Sequence, residues 1–556
     1  MARARISLSL AICVLAAPVA AAAEDPAQQS PFGGEMPPAL VEARSPSERP
    51  DGFELTAAEA TEIAGTVDVV AEELAESPGA EPTAFVRGDR WQVSFFEGDA
   101  EVARVILDAR SGEIDEALRD FQVETPLSRG YAGAVAQNVN SPWIWIPLCL
   151  LFVAPFYDPR RPLRLVHLDL LVLLALGISL SFFNRAEITA SVALTYPVLG
   201  YLLVRMLVAG LWPRERDGPL VPFAPVKWLA IGVVVLLCGR IALNVADSRV
   251  IDIGLAGVVG ADRIGDGLAL YEGGFSVGID LKGDVYGPAN YLAYVPFEQV
   301  FDWDGTWGEL PSAHAAAIAF DLLCVAGLAL LGRRLRAGAE GRELGWALAF
   351  AWAACPWTLY AMNAGANDAL VAALSIGSLL ALGSPAGRGA FVALAAAAKF
   401  GSAALGPLFA TASGERRWRS AAIFTVVFAL VVVAVTIPFV PDGGVREIYD
   451  RTFGYQAGRG SPFSVWGQAP SLDALQPVVR VGAAALAVAV AFYPRFKTPI
   501  QIAALAAAVT IAVQLTANHW FYFYVVWFLP FVLVASFGAH RTVFVGTSST
   551  PAVEGE

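Results

Sequence analysis

The sequence predicts an all-α polytopic membrane protein, with about eleven spans and one re-entrant helix pair, preceded by a small extracytoplasmic α+β domain at the N-terminus. Two observations predict the membrane part. The 556-residue chain has a mean hydropathy of +0.55 and 56% hydrophobic residues, which is more apolar than a soluble protein. Its apolar runs also approach the roughly 20 residues that a helix needs to cross a bilayer. A third observation, alternating apolar and polar residues near the N-terminus, predicts strands there.

Composition and charge exclude some classes of partner. The net charge of −13 and the pI near 5.0 exclude nucleic acid, because phosphate binding relies on a basic surface. The five cysteines lack the spacing of a disulfide framework or a zinc site, and the four histidines are scattered. The sequence therefore predicts no metal centre and no certain cofactor, although the acidic loop described below leaves a divalent cation open.

Residues 1–23 predict a secretory signal peptide. Arg3 and Arg5 form a basic start, an apolar centre follows, and a run of four alanines offers small-residue cleavage sites. An uncleaved anchor is the alternative, and either one places the next segment outside the cytoplasm. Residues 24–54 are rich in Pro, Ser, Ala and Glu without an apolar period, which predicts a flexible linker.

Residues 55–122 predict the α+β domain. An Ala/Glu-rich stretch at 56–74 predicts a helix. Apolar and polar residues then alternate along 90–96, a second apolar run follows at 102–108, and a Ser-Gly turn comes after it, which predicts a β-hairpin. This order of elements resembles the PepSY domain, a small extracytoplasmic module, and the resemblance implies a binding or regulatory role. An unclassified α+β domain is the alternative.

The apolar runs predict the positions of the membrane helices. They lie at 142–157, 165–183, 188–212, 228–246, 310–332, 343–362, 368–383, 388–411, 420–439, 473–493, 498–517 and 520–538. Orientation follows from the basic turns, which are typical of the cytoplasmic side. These turns contain Arg160, Arg161, Arg164, Arg214, Arg216, Arg333, Arg334, Arg336, Arg495 and Lys497.

The run 388–411 does not fit a simple span. It carries Lys399 near its middle, where a charge is costly unless it faces a cavity or has a function. A full crossing would also place the arginines that follow it on the outer side. We therefore expect two half-helices, 388–398 and 402–411, that enter and return to the cytoplasmic side, which leaves the tail 541–556 cytoplasmic. Twelve full spans that violate the charge rule are the alternative.

The segment 247–309 is an acidic loop between two apolar runs. It contains eleven Asp or Glu residues against three Lys or Arg residues. Asp252 follows the run 228–246 by a few residues, so it is expected near the membrane surface. Partial desolvation there raises the pKa of a carboxylate and makes it a better base. Solvation as an ordinary loop acid is the alternative, and for Asp262, Asp266 and Asp280 it is the preferred interpretation.

A series of motifs begins in this loop and continues along the chain in a fixed order. These are Asp252-Ile-Gly, Gly283-Asp284-Val-Tyr286-Gly-Pro-Ala-Asn-Tyr291-Leu-Ala-Tyr294-Val-Pro-Phe297, Asn367-Asp368, Lys399-Phe400, Ser461-Pro-Phe-Ser-Val-Trp466 and Trp520-Phe-Tyr-Phe-Tyr524 with Trp527-Phe-Leu-Pro530. Together they make residues 225–540 resemble the GT-C superfamily of membrane glycosyltransferases, and most of all glycosyltransferase family 87, which uses polyprenyl-phosphate mannose. The resemblance implies that Asp252 is the catalytic base. The chain departs from the family pattern in its additional helices at 141–215 and in its N-terminal domain.

The chemistry implied by this resemblance needs a base on the acceptor side and cations on the phosphate side. The candidate cations are Lys399 and the outer-loop arginines Arg446, Arg451 and Arg459. Pairing of the arginines with nearby acids is the alternative. The other candidate substrate-binding residues are Asp284, Tyr286, Tyr291, Asn367, Asp368, Trp466 and Tyr524. An interfacial aromatic belt and a helix cap at Asn367 and Asp368 are the corresponding alternatives.

The leading hypothesis is therefore a multi-pass cell-membrane enzyme with its active site outside the cytoplasm. It would transfer mannose or another hexose or pentose from a polyprenyl-phosphate donor to a glycan, lipid or protein acceptor, by inverting displacement. A polytopic transporter or lipid-carrier flippase is the alternative, since both contain broken helices and intramembrane lysines. A sensor built on the N-terminal domain is a third, although twelve apolar runs exceed what an anchor needs.

Overall fold

The computed structural model describes residues 40–98, 100–119, 123, 136–214, 216–246, 248–272, 275, 282–305, 310–412, 417–458 and 461–541. The predicted signal peptide 1–23, linker residues 24–39, Arg459 and the tail beyond Arg541 lie outside this part of the chain. The chain is mostly helical but not strictly all-α, because a small sheet lies near the N-terminus.

The N-terminal domain is a five-stranded antiparallel sheet with two helices. Its elements are β1 (Val41–Glu42), α1 (Ala57–Gly65), α2 (Asp68–Glu76), β2 (Glu81–Arg87), β3 (Arg90–Glu97), β4 (Ala100–Asp108) and β5 (Ile114–Arg119), with the strands in sequence order across the sheet. The predicted hairpin is confirmed as β3 and β4, in which Trp91 faces Leu107 and Val93 faces Val105. These side chains are buried against Ala57, Ala60 and Ala64 of α1.

The single helix predicted at 56–74 is wrong, because the structure has two helices there. Thr56 caps the first helix, with reciprocal hydrogen bonds to Glu59. The chain leaves the helix after Gly65, and the extended Val67 starts α2. Gly65 and the β-branched Thr66 and Val67 are weak helix formers, which explains the break.

Most of the remaining helices follow the predicted apolar runs, and the others lie in the predicted loops between them. In chain order they are α3 (Pro142–Val153), α4 (Leu165–Phe183), α5 (Ile188–Leu211), α6 (Val226–Ala246), α7 (Asp252–Gly265), α8 (Pro288–Glu298), α9 (Pro311–Leu335), α10 (Gly338–Ala354), α11 (Pro356–Asn363), α12 (Asp368–Leu380), α13 (Pro385–Ala398), α14 (Gly406–Ala410), α15 (Arg417–Thr436), α16 (Val445–Tyr449), α17 (Tyr455–Gly458), α18 (Val465–Gln468), α19 (Gln476–Phe492), α20 (Pro499–Gln514) and α21 (Val525–Gly538). A short parallel pair, β6 (Arg216–Pro219) and β7 (His540–Arg541), joins two distant segments.

Within the described ranges, five helices are long and apolar enough to cross a membrane: α4, α5, α6, α9, and α15 with the turn that follows it. Six further apolar stretches, of 10–17 residues, are shorter. The structure therefore supports a membrane protein, whereas the number of spans and their orientation stay predictions.

Two predicted runs are interrupted. The run 343–362 is α10 followed by α11, because Pro356 lacks an amide donor and its predecessor Cys355 is extended. The run 388–411 is broken at Lys399, as predicted, but its second half is not one helix. It consists of a 3₁₀ turn at Phe400–Leu405 and the five-residue α14.

Candidate functional site

The N-terminus of α7 is fixed against the segment that precedes α12. The Ile251 amide donates to the Ala364 carbonyl at 2.9 Å, and the α-carbon of Gly254 packs against the Gly365 carbonyl with no room for a side chain. Asp252 is the first residue of α7, is half-buried, and accepts a hydrogen bond from the Ile253 amide at 2.9 Å. The predicted base therefore lies beside the chain segment that leads into Asp368.

Glycines of α7 allow the aromatic helix α8 to approach closely. Gly257 contacts the ring of Tyr294, and Gly260 contacts the ring of Tyr291, and neither position has space for a Cβ. Both tyrosines are fully buried. The apolar stretch 253–260 is thus helical within α7, and its buried residues pack inside the protein.

Tyr291 organises the loop in front of α8. Its hydroxyl donates to the Gly283 carbonyl at 2.6 Å and accepts from the Tyr286 amide at 3.2 Å. The Tyr271 hydroxyl donates to the Tyr286 carbonyl at 2.7 Å. Tyr291 therefore holds the loop that carries Tyr286 in place.

Asp368 and Lys399 form a buried ion pair at the centre of the site. The Lys399 Nζ lies 2.8 Å from Asp368 Oδ1, and the same oxygen accepts from the indole Nε1 of Trp527 at 2.6 Å. The exposed fraction is 0% for Asp368 and 7% for Lys399. Lys399 has extended backbone at the break after α13, and this break frees its side chain to point towards the start of α12.

Three aromatic rings surround the ammonium group of Lys399. Its Nζ lies 5.6 Å from the ring centroid of Tyr286, 5.7 Å from that of Tyr524 and 5.2 Å from that of Trp527. Such distances are typical of cation–π contacts. Gly287 brings Tyr286 here, because its α-carbon packs against the Ala397 carbonyl at the end of α13.

Polar atoms with open hydrogen-bonding capacity lie next to this pair. Asn367 Nδ2 donates to Asn290 Oδ1 at 2.6 Å, and burial together with the Asp368 carboxylate raises the pKa of the Tyr294 phenol. Among the described residues, four buried atoms of this group have no hydrogen-bond partner: Asn290 Nδ2, Tyr294 Oη, Asn367 Oδ1 and Asp368 Oδ2. Buried polar atoms are normally satisfied, so a local group of open ones indicates a place for a further polar species.

A second charged group joins the segments that carry Asp284 and Arg451. Arg451 donates to Asp284 Oδ2 at 2.8 Å and to Glu447 Oε1 at 2.9 Å. The Asp284 side chain is 3% exposed, and that of Arg451 is 29% exposed. Arg451 lies in a π-helical turn at Asp450–Gly454, a distortion that is frequent at functional sites.

Of the other predicted residues, Arg446 lines one open pocket together with Lys282, Glu447 and Arg451. The Arg446 side chain is 90% exposed and is 3.7 Å from Asp450. Trp466 donates its indole to the Leu515 carbonyl at 2.9 Å, which fixes a connecting segment. Arg459 lies outside the described residues. Asp262, at the other end of α7, has a pKa raised to about 6, first by burial and then by Asp266 and Glu298.

The structure thus brings together Asp368, Lys399, Tyr286, Tyr524 and Asn367, with Asp252 on the adjoining segment. Trp527, Asn290 and Tyr294 were not among the predicted site residues, although the motifs that carry the resemblance contain all three. Helical spacing carried a signal, because Trp527 lies three residues after Tyr524, and Asn290 and Tyr294 are four residues apart on α8. In the described part of the chain, no cluster of three or more His, Cys, Asp or Glu residues could hold a metal ion.

No protein-family model matches the chain, and no curated protein is similar to it at a significant level.

Proposed function

We propose that the chain is a membrane glycosyltransferase that takes a sugar from a polyprenyl-phosphate donor and transfers it to an extracytoplasmic glycan, lipid or protein acceptor. One observation carries the proposal: the half-buried Asp252 is fixed, through the hydrogen bond from Ile251 to Ala364, beside the segment that leads to the Asp368–Lys399 pair. The acid Asp252 therefore lies next to the segment that leads to Asp368, the partner of the cation Lys399.

The proposed reaction is an inverting displacement. The acceptor hydroxyl attacks the anomeric carbon, a new carbon–oxygen bond forms, and the bond from that carbon to the donor phosphate breaks. Asp252 takes the proton of the hydroxyl, and polyprenyl phosphate leaves with its negative charge. A positioned base contributes about 10²–10⁴-fold to the rate of such a step.

Lys399 is the proposed cation on the phosphate side. An ammonium group has three donors, and Asp368 is its one hydrogen-bond acceptor among the described residues. The surrounding rings hold the ammonium in place, so it needs little reorganisation when a charged oxygen arrives. Asp368 then acts as a positioning residue for Lys399, and Arg451 provides a guanidinium at the neighbouring loop.

The open atoms of Asn290, Tyr294, Asn367 and Asp368 suit a polyhydroxyl ligand. Two are acceptors, one is a donor, and the phenol can act as either. Sugar hydroxyls are both donors and acceptors, so a sugar can satisfy such a mixed group. Tyr286 and Tyr524 offer aromatic faces beside it.

Donor consumption in lipid nanodiscs tests the proposal. The protein is incubated with polyprenyl-phosphate mannose and with pentose analogues, together with a membrane extract that supplies glycan, lipid and protein acceptors, and release of polyprenyl phosphate is measured for the wild type, Asp252→Asn and Asp262→Asn. We expect release by the wild type, a loss of at least about 100-fold in Asp252→Asn, and no comparable loss in Asp262→Asn, because Asp262 lies ten residues along α7, about 15 Å away.

The outcomes separate the base from the reaction class. If Asp252→Asn releases polyprenyl phosphate as fast as the wild type, the base assignment is wrong and the base is to be sought at Asp284 or Asp368. If the wild type consumes no lipid-linked sugar, the glycosyltransferase proposal is wrong, and transport of a lipid carrier becomes the better hypothesis.

A further inference from the structure

A group of arginines surrounds His540, which lies just beyond the C-terminal end of α21. Trp527, which contacts Asp368, lies near the other end of the same helix. This His540 cluster consists of His540 with Arg164 at the start of α4, Arg205 in the last turns of α5, Arg216 in β6 and Arg336 after α9. The pairing of β6 with β7 places Arg216 opposite His540, and the Arg216 amide donates to the Ala539 carbonyl at 2.8 Å.

The backbone and the imidazole hold two of these guanidinium groups. Arg164 Nη2 lies 3.0 Å from His540 Nδ1 and donates to the Pro219 carbonyl at 3.0 Å. Arg336 Nη2 donates to the Gly538 carbonyl at 2.9 Å and to the His540 carbonyl. These contacts connect the ends of α4, α9 and α21.

The His540 cluster has more positive than negative charge. Asp169 pairs with Arg205 at 3.1 Å, and Asp158 interacts electrostatically with Arg164, so among the side chains that the structure describes two carboxylates face four guanidinium groups. The imidazole adds no charge near neutral pH, because burial, followed by the arginines, lowers the pKa of His540 to about 3.

Two guanidinium nitrogens have capacity left for an anion. Arg164 Nη1 and Arg336 Nη1 are buried and have no hydrogen-bond partner among the described residues. A buried donor of a charged group that stays unpaired is strongly unfavourable. Two of them in one cluster with excess positive charge indicate a missing acceptor that carries negative charge.

We propose that the His540 cluster binds a phosphate group, and that the headgroup of an anionic phospholipid supplies it. Guanidinium groups bind phosphate oxygens through paired hydrogen bonds. The cluster lies where membrane helices end, on the side that the basic turns predict to be cytoplasmic, and basic pockets between helices on that side bind anionic headgroups. Free phosphate has the same chemistry and is the other source. This inference does not depend on the proposed glycosyltransferase activity.

Thermal unfolding of the full chain in detergent tests the proposal. The midpoint is followed while phosphatidylglycerol, phosphatidylcholine or inorganic phosphate is added. We expect a saturable rise with phosphatidylglycerol and none with phosphatidylcholine, since a ligand that binds the folded state stabilises it. Arg164→Gln and Arg336→Gln should each weaken the apparent affinity about tenfold or more. Arg333→Gln, an exposed arginine near the end of the same helix α9, is the matched control and should behave as the wild type.

Three results would overturn the proposal in whole or in part. Equal responses to the two lipids, or equal effects of Arg333→Gln and Arg336→Gln on the apparent affinity, would show that the His540 cluster does not bind a phosphate group. A rise of the unfolding midpoint with inorganic phosphate as large as that with phosphatidylglycerol would support a phosphate site and contradict the lipid headgroup as its ligand. Should a variant not fold, native mass spectrometry of the wild type decides, because phosphatidylglycerol is expected to stay bound at collision energies that strip phosphatidylcholine.

Discussion

Two buried aspartate–cation pairs of similar construction lie in the helical part of the chain. In one, Arg240 Nη2 is 2.6 Å from Asp321 Oδ1, and the Trp352 indole donates to the same oxygen at 2.9 Å. In the other, Lys399 and the Trp527 indole both donate to Asp368 Oδ1. Each pair is therefore an aspartate whose one oxygen is shared by a basic side chain and a tryptophan.

The two pairs differ in how much of their hydrogen-bonding capacity is satisfied by other groups of the protein. Arg240 also donates to the Ala353 carbonyl at 3.0 Å and to Thr358 at 3.1 Å, although its Nε has no partner among the described residues. It thereby joins α6 to α9 and to the junction of α10 and α11. Lys399 lies instead in a helix break among aromatic rings, and Asp368 Oδ2 has no partner in the described part. The same chemistry thus joins helices in the first pair and leaves a carboxylate oxygen open for a further hydrogen bond in the second.

The largest effects are expected when either pair loses its acid. Asp321→Asn should destabilise the protein by about 3–5 kcal/mol, because the Arg240 charge stays buried without its counter-charge. Asp368→Asn should have an effect of the same order through Lys399. Denaturant-induced unfolding in detergent micelles measures both free energies of unfolding.

Replacing both members of each pair sharpens the comparison. Arg240→Met combined with Asp321→Leu should recover most of the lost stability, since apolar residues of similar volume are often neutral at such sites. It should also retain donor consumption. Lys399→Met combined with Asp368→Leu should recover stability but reduce donor consumption at least about 100-fold. Equal activity of the two double variants would show that the pairs play the same structural role.

A smaller loss of stability is expected from replacing Arg451, and a smaller one still from replacing Arg446. Arg451→Gln should lower the free energy of unfolding by about 1.5–3 kcal/mol, because it leaves the buried Asp284 carboxylate without its partner. Arg446→Gln should change it by less than about 0.5 kcal/mol, because that side chain is exposed and its ion pair is solvated. Similar changes in the free energy of unfolding for the two variants would mean that Arg451 does not connect its own segment to the one that carries Asp284.

The sequence predicted the helices and part of the site for a clear physical reason. A run of about 20 apolar residues has few options besides a helix, and a lysine inside such a run needs a function or a partner. Lys399 and the break beside it were found in this way. The same argument does not identify the partners of Lys399, because Trp527 and Asp368 reach it only through the packing of α12 and α21 around the break. The Arg240–Asp321 pair was missed for the same reason, since 81 residues separate its members.

The smallest expected effect concerns Asp262, at the end of α7 opposite Asp252. Its pKa is about 6 in the folded chain against a usual value of 3.8, so between these values the folded state binds the proton that the unfolded chain has released. Stability contributed by this group is therefore present below about pH 4 and is lost as the pH rises to about 6. Asp262→Asn cannot ionise, so its unfolding midpoint should match the wild type near pH 4 and exceed it above pH 6. Asp473→Asn, at an exposed position, is the control for the substitution itself. A constant offset between Asp262→Asn and the wild type at all pH values would show that burial beside Asp266 and Glu298 does not perturb the pKa of this carboxyl.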